Sequence, residues 1–430
     1  RVRAGVMRSE QLHFDAVVIG GGMAGLTAGT RLAQAGAKVA VLAKGHGSTH
    51  LSPGTIDVLG YTPARVTSPH DSLARLISER PDHPYALIGA DAVSDSLEWF
   101  TECAAGGPLP GYGYVGGLER NLLLPTAMGV LRPSALAPST MAGGEASGLG
   151  DVAIVSVPAL REFHPTLCAA NLSAAGIPSR GISLQLTMER ADMNPVGMAR
   201  HFDDPRWRGH FCAQLLPMLR GDDHVGLPAM LGLSDPVAVA ADLEHRLGRK
   251  VFEIPTLPPS VPGMRRYEIL RAALRAATGR LILGAEVISH ERSGPRVTSV
   301  ATHAAGRDLT YVADWYVLAS GGFASGAIEL DSQWVTHERV LDLPLRGVPD
   351  AGVPRFTPDY MSEQPLATAG VAVDAELRAE GVENVLVAGA SLPGATPWRE
   401  GSGEGIALAS GYRAAALIAA GLKTEERVAS

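Results

Sequence analysis

The stretch HFDAVVIGGGMAGLTAGTRLAQAGAKVAVLAKGHGSTHLSPG, residues 13–54, decides the fold. Phe14 to Ile19 is a short Val/Ile-rich apolar run, the pattern of a parallel strand buried on both faces. Gly20, Gly21, Gly22 and Gly25 follow at once, then Leu26, Leu32 and Ala33 recur at helical spacing until Gly36. Lys38 to Leu42 reads as a second apolar strand and completes a βαβ unit. In such a unit Gly20 permits the tight turn and Gly22 lets the backbone approach a pyrophosphate. Gly25 lets helix and strand pack closely, and the helix start at Met23 and Ala24 offers free N–H groups and the positive end of a dipole. The spacing predicts an α/β protein with a Rossmann-like dinucleotide site.

The second strand ends in Ala43-Lys44, where NAD proteins and many FAD proteins carry an acid that accepts hydrogen bonds from the adenosine ribose. The segment that follows, GHGSTHLSPGTIDVLG, is rich in Ser, Thr and Gly, contains Pro53 and cannot continue either element. It is expected to be a loop at the carboxyl end of a strand, carrying His50, Ser52 and Gly54 towards a ligand. This pattern resembles the fumarate reductase, succinate dehydrogenase and L-aspartate oxidase flavoproteins, which implies a flavin rather than a nicotinamide. Two more apolar strands end in glycine turns far down the chain, at Ser320-Gly321-Gly322 and at Gly389-Ala390. A last Gly/Ser lead-in, with Gly403, Glu404, Gly405 and Ile406, opens a C-terminal helix expected under the isoalloxazine ring. There its dipole would favour the negative charge of the reduced flavin by about 0.3–1 kcal/mol when exposed and roughly 2 when buried.

The bulk numbers limit the alternatives. The chain of 430 residues is 46% apolar and 19% charged, enough for a large core and more than one folding unit. Its 50 glycines and 30 prolines stay below the roughly 25–30% at which disorder is expected, so they read as turns. A net charge of −7 argues against nucleic acid. Cys103, Cys168 and Cys212 are too far apart to assemble an iron–sulfur or zinc site, and no metal ligands are expected. No stretch reads as a membrane span or a secretory signal, which leads to the expectation of a cytoplasmic protein that meets a membrane only through partners. Met7 is a candidate functional start. Asp203 and Asp204 lack the companions of a cation site.

The expected organisation is a tail over 1–12, a first part of the flavin-binding domain over 13–75, an inserted α/β cap over 76–262 and the second part over 263–430. Within the cap, DVAIVS, GISLQLTM, HVGLPAMLG and KVFEIPTLPPS read as strands, with helices at FHPTLCAANLSAAG and 237–247. Beyond it come the helix MRRYEILRAALRAA, the strand RLILGAEVI and a hairpin meander to Val312.

Six blocks, FDAVVIGGGMAGL, THLSPGTIDVLG, PTAMGVLRPSAL, IPTLPPSVPGMR, YVLASGGFASG and VLVAGASLPGATPWREGSGEGIALASGYRAA, together resemble the B subunit family of anaerobic glycerol-3-phosphate dehydrogenase. They cover almost the whole chain in the family's order. The resemblance implies a flavoprotein that pairs with a catalytic flavin subunit and an iron–sulfur anchor subunit, peripherally held on the cytoplasmic side of the membrane. Together these would oxidise sn-glycerol 3-phosphate to dihydroxyacetone phosphate and pass electrons to quinone. This sequence departs from the family where Ser402, Glu404 and Ile406 replace a Cys-bearing glycine run, and in residues preceding Met7. A pyrophosphate cradle favours FAD, while the missing acids at Ala43 and Ala390 and the family's usual description keep FMN as the alternative. The flavin-linked His of succinate dehydrogenases falls near Ser48, so a non-covalent flavin is expected. Val287 joins the expected flavin contacts. For chemistry, His50 is the candidate base, and Arg132 and Arg265 are candidate phosphate clamps; each arginine reads equally as a loop-bracing ion pair. Two roles stay open, dehydrogenation by this subunit and a non-catalytic flavin relay or structural part, with a fumarate-reductase-like enzyme acting on a dicarboxylate as a third possibility.

Overall fold

The structure, a computed structural model, describes residues 10–188, 191–304, 307–350, 352–359 and 361–429. The proposed start at Met7 lies outside them. Strand β1 (Glu10–Ile19) already begins inside the expected tail, and leads into helix α1 (Met23–Gln34) and strand β2 (Val39–Ala43). Every residue of β2 is buried, as the unbroken apolar run requires of a strand covered on both faces. Helix α2 (Ala90–Ala105) follows, then a hairpin of β3 (Leu122–Pro125) and β4 (Leu131–Ser134).

A second α/β unit comes next: β5 (Val152–Ser156), α3 (Pro165–Ala174), β6 (Ser179–Ser183), α4 (Pro195–Asp203), α5 (Pro205–Leu215), β7 (His224–Pro228), α6 (Pro236–Leu247) and β8 (Lys250–Ile254). Its four strands are all parallel in the order β8-β7-β5-β6. Strand β6 stops at Ser183, short of the expected LQLTM residues. Helix α7 (Val261–Ala276) returns the chain to the first sheet, followed by β9 (Arg280–Leu283), β10 (Val287–Ser293), β11 (Arg296–Ala304), β12 (Arg307–Leu318), β13 (Val385–Val387) and helix α8 (Gly403–Ala429). The single strand expected at RLILGAEVI is thus broken between Leu283 and Val287, around Gly284 with φ 77°.

The main sheet runs β9-β2-β1-β12-β11-β10. Long β12 lies parallel to β1 over its whole length, and its other edge is divided: residues up to Val312 pair antiparallel with β11, and Tyr316 to Leu318 pair parallel with β13. Two hydrophobic cores follow. One holds the main sheet, α1 and α8 together with buried residues from Leu73 to Leu136, and the other runs from Val152 to Val261. The expected cap of 76–262 is therefore too wide, because α2 packs on α8 in the flavin domain. By length and composition Gly403–Leu422 is apolar enough to cross a membrane, contrary to the sequence reading. Half of it is buried against the rest of the protein, which accounts for its apolar character as a core helix.

Candidate functional site: a flavin cradle and a buried charge quartet

The glycines after β1 are fixed by neighbours rather than by preference. Gly20 has φ 123°, and a Cβ there would lie 2.1 Å from the Ala319 carbonyl oxygen. A Cβ on Gly25 would lie 1.9 Å from the Gly20 carbonyl oxygen, so α1 can touch the turn only without a side chain. One on Gly21 would lie 2.5 Å from the Ala43 Cβ, while Gly22 has nothing within 4 Å of the same position. Gly22 is the N-cap of α1 and offers no capping side chain, which leaves open backbone where a phosphate would approach.

The two distant glycine turns close on this one. A Cβ on Gly389, φ 72°, would be 3.0 Å from the Ala24 Cβ, and one on Gly322 would be 2.4 Å from the Ala390 carbonyl oxygen. Ser391 Oγ donates to the Gly321 carbonyl at 2.8 Å, and Gly389 N donates to Ser410 Oγ at 2.7 Å. Helix α8 crosses α1 at Gly411, where a Cβ would meet the Ala24 carbonyl oxygen at 2.3 Å. With a rise of about 1.5 Å per residue, Glu404 sits about 10 Å along α8 from that crossing, a separation suited to a ligand with phosphates at one end and a ring at the other.

At the corner beyond β2, Lys44 Nζ pairs with Glu286 Oε1 at 2.9 Å and Ala285 N donates to the Ala43 carbonyl at 3.0 Å. The hydrogen bond from Lys44 holds the Glu286 carboxyl below its ordinary range. Val287 begins β10 beside them. A carboxylate thus reaches the strand end that Ala43 leaves bare, from a residue some 240 positions away; no local signal in the sequence announces it.

His50 lies in a short 3-10 turn, Gly47–Leu51. Its ring stacks on His46 at 4.4 Å and meets the Tyr267 ring edge-on at 4.9 Å between centroids. Burial first, and His46 second, push its pKa below the ordinary imidazole value, so it is held neutral near pH 7. His50 Nε2, Thr49 Oγ1 and Ser320 Oγ are buried without partners. With the open cradle at Gly22, these unanswered polar atoms in the ligand-facing loops fit a bound dinucleotide.

The arginines divide differently from the sequence expectation. Arg265, 2% exposed, donates from Nη1 to Glu253 Oε2 at 2.6 Å and from Nη2 to Glu253 Oε1 at 3.1 Å and the Gly232 carbonyl at 2.7 Å. Glu253 also accepts from Thr140 Oγ1 and Leu231 N. Arg265 as a phosphate clamp is therefore corrected: it joins α7 to β8 as a buried ion pair. Arg132, half-buried on β4, is ion-paired with the buried carboxylate of Asp57. The next residue on α7, Arg266, does face the flavin loop. Its Nη1 donates to the Thr55 carbonyl at 2.8 Å, its Nη2 donates to Ser52 Oγ at 2.5 Å, and it lies 3.9 Å from Glu404 Oε1. Consecutive helical residues point about 100° apart, so the pair Arg265-Arg266 had to split between two sides; which side each takes is set by packing. Gly405 N donates to the Asp57 carbonyl at 3.0 Å, and a Cβ on Gly405 would lie 2.4 Å from Tyr85 Oη. Burial first, and Asp57 second, push the Glu404 carboxyl above its ordinary value.

The fold and this cradle define an FAD-binding protein of the Rossmann-like flavoprotein class. The FAD binding domain family matches residues 15–406. The chain is 33% identical to a probable B subunit of anaerobic glycerol-3-phosphate dehydrogenase from Halobacterium salinarum, over 96% of this chain and 100% of that one. It is 30% identical to the B subunit of anaerobic glycerol-3-phosphate dehydrogenase from Vibrio cholerae, over 95% and 97%. Among solved structures, a 3-ketosteroid Δ1-dehydrogenase from Sterolibacterium denitrificans matches with a TM-score of 0.45 at 12% identity, over 95% of this chain and all of that one. An Escherichia coli quinol fumarate reductase chain matches with a TM-score of 0.46 at 9% identity, over 96% and 70%. The chain belongs to the B subunit family of anaerobic glycerol-3-phosphate dehydrogenase, and its cofactor is FAD.

Proposed function

We propose that this chain is the flavin relay subunit of an anaerobic sn-glycerol-3-phosphate dehydrogenase, holding FAD non-covalently beside a catalytic flavin subunit and an iron–sulfur subunit that meets the membrane. Gly20 to Gly25 would hold the pyrophosphate, Ser320, Gly321, Gly389 and Ala390 would line the middle of the cofactor, and the N-terminus of α8 would face its ring. The bound flavin supplies reversible two-electron storage. Arg266 orients the Ser52–Thr55 loop towards that ring, and α1 and α8 set the distance between the two ends.

One observation carries the choice of relay over dehydrogenase: Arg132, Arg265 and Arg266 each face a carboxylate, of Asp57, Glu253 and Glu404. A phosphate ester taking one of these arginines gains roughly 1.5–3 kcal/mol from a charged hydrogen bond, whereas a buried carboxylate stripped of its partner costs about 3–5 kcal/mol. The local charge is already balanced, and a doubly charged substrate finds no excess of positive charge among these groups. The second reading, direct oxidation, is favoured by the unpartnered His50 Nε2, a neutral base able to accept a hydroxyl proton. Anaerobic addition of glycerol 3-phosphate to the purified, FAD-loaded chain separates them. The relay reading expects an unchanged flavin spectrum, with full bleaching by dithionite; bleaching by the substrate alone, abolished in His50→Gln, establishes direct oxidation instead.

A further inference from the structure

The four side chains at the junction of α8, α7, β4 and the flavin loop form a closed electrostatic unit. Arg132 is paired with Asp57, Arg266 lies 3.9 Å from Glu404, and the loop carrying Asp57 is tied to α8 by the Gly405 N–H. Asp57 and Arg266 are each 1% exposed, and the side chains of Glu404 and Arg132 are 18% and 36% exposed, so water screens the first two charges little and the other two more. Two more groups lie within electrostatic reach of Glu404, the phenols of Tyr85 and Tyr114. Both are pushed well above the ordinary phenol value, first by burial, and so stay neutral and add no charge. Two arginines against two carboxylates sum to zero when Glu404 is ionised, and to one positive charge when it carries a proton.

We propose that Glu404, with the Asp57 carboxylate as its charged neighbour, is the proton acceptor coupled to flavin reduction in this subunit, taking one proton from solution when negative charge develops on the ring beside the α8 N-terminus. This rests on FAD being bound as argued above. Two electrons from the reduced flavin of the catalytic subunit and one proton would go to the bound FAD, and a second proton from solution would form an O–H bond on the Glu404 carboxyl while no protein bond breaks. The quartet then carries one positive charge that offsets the new negative charge on the ring. The negative charge of Asp57 favours the protonated form of Glu404. A carboxyl already raised by burial and by a neighbouring carboxylate is poised for this.

The test is the midpoint potential of the FAD-loaded full-length chain as a function of pH, with dithionite as reductant. Each proton taken up in a two-electron couple contributes about 30 mV per pH unit. The wild type is expected to fall by about 60 mV per pH unit through a window around neutral pH. Glu404→Gln and Asp57→Asn are each expected to fall by about 30 mV per pH unit there. A wild type with the shallower slope throughout, or a variant that keeps the steeper one, overturns the proposal. An infrared difference spectrum of the wild type alone, reduced minus oxidised, is expected to gain a protonated-carboxyl band, and its absence overturns the proposal even if neither variant folds. Loss of the bound-flavin spectrum from the wild type would instead remove the FAD site on which the inference stands, a result distinguishable from a shallow slope.

Discussion

Alanine at Gly25 would bring a methyl carbon to 1.9 Å from the Gly20 carbonyl, whereas alanine at Gly22 would meet nothing within 4 Å. Gly25→Ala is therefore expected to cost about 3 kcal/mol or more through overpacking. Gly22→Ala should leave stability within about 0.5 kcal/mol, yet weaken FAD binding by about tenfold or more if, as proposed, the pyrophosphate approaches that open point. Urea midpoints of the apo chains and FAD titrations check the pair. Equal loss of stability in both would show that Gly22 is a packing glycine. This distinction was half legible in the sequence: strand, glycine turn and helix spell out a phosphate cradle, but only the neighbours in space separate the glycine that clears a ligand from those that clear the chain itself. The arginines show the same limit. Arg265 and Arg266 are adjacent, and nothing in their spacing says that the first serves Glu253 and the second the flavin loop.

The lead-in to α8 is held by Glu400, which pairs with Arg80 at 3.1 Å and with the buried His83 at 3.2 Å and accepts from Ser402 Oγ and Thr396 N. Burial opposes its ionisation, but the hydrogen bond from His83, with the bonds from Thr396 and Ser402, holds its pKa at about 2 against the ordinary 4.5. The folded value lies below the unfolded one, so the stability this provides is complete above about pH 4.5 and is lost as pH falls towards 2. The full effect is on the order of 3 kcal/mol. Glu400→Gln is accordingly expected to be less stable near neutrality and to lose less stability than the wild type between about pH 6 and 3. Chemical denaturation at several pH values measures it, and parallel slopes for the two proteins would show that Glu400 is not so held. The buried parallel strands β1, β2, β5 and β13 are legible as apolar runs and α1 as a periodic segment. This clamp was not, because its partners come from more than 300 residues away in the chain. The width of the cap was misread for a related reason: α2 has an ordinary amphipathic pattern, and a pattern does not say which of two cores it faces.

Across the whole molecule, the Arg265–Glu253 pair is the charged joint between the two cores, fully enclosed and satisfied on both carboxylate oxygens. Arg265→Ala should destabilise the protein by about 3–5 kcal/mol by stranding Glu253. Adding Glu253→Gln should recover much of that loss, with no change in the bound-flavin spectrum in either case. Unaltered stability in Arg265→Ala, or a spectrum that shifts with it, would show that the arginine belongs to the cofactor site after all. The balanced junction, in a chain of net charge −7, offers an anionic metabolite no surplus of positive charge. The crossing of α1 and α8 at Gly411 has a consequence for biosynthesis. The nucleotide cradle opens at the end of β1, but its far wall is α8, which is made long after it. Chains fold from the N-terminus as they are made, so the second core, Val152 to Val261, can form before α8 is made, whereas the first core and the cradle are completed only with it. Acquisition of colour is then expected late in maturation, and a ribosome stalled before residue 411 is expected to display a colourless chain whose second core has formed and whose first lacks the wall supplied by α8.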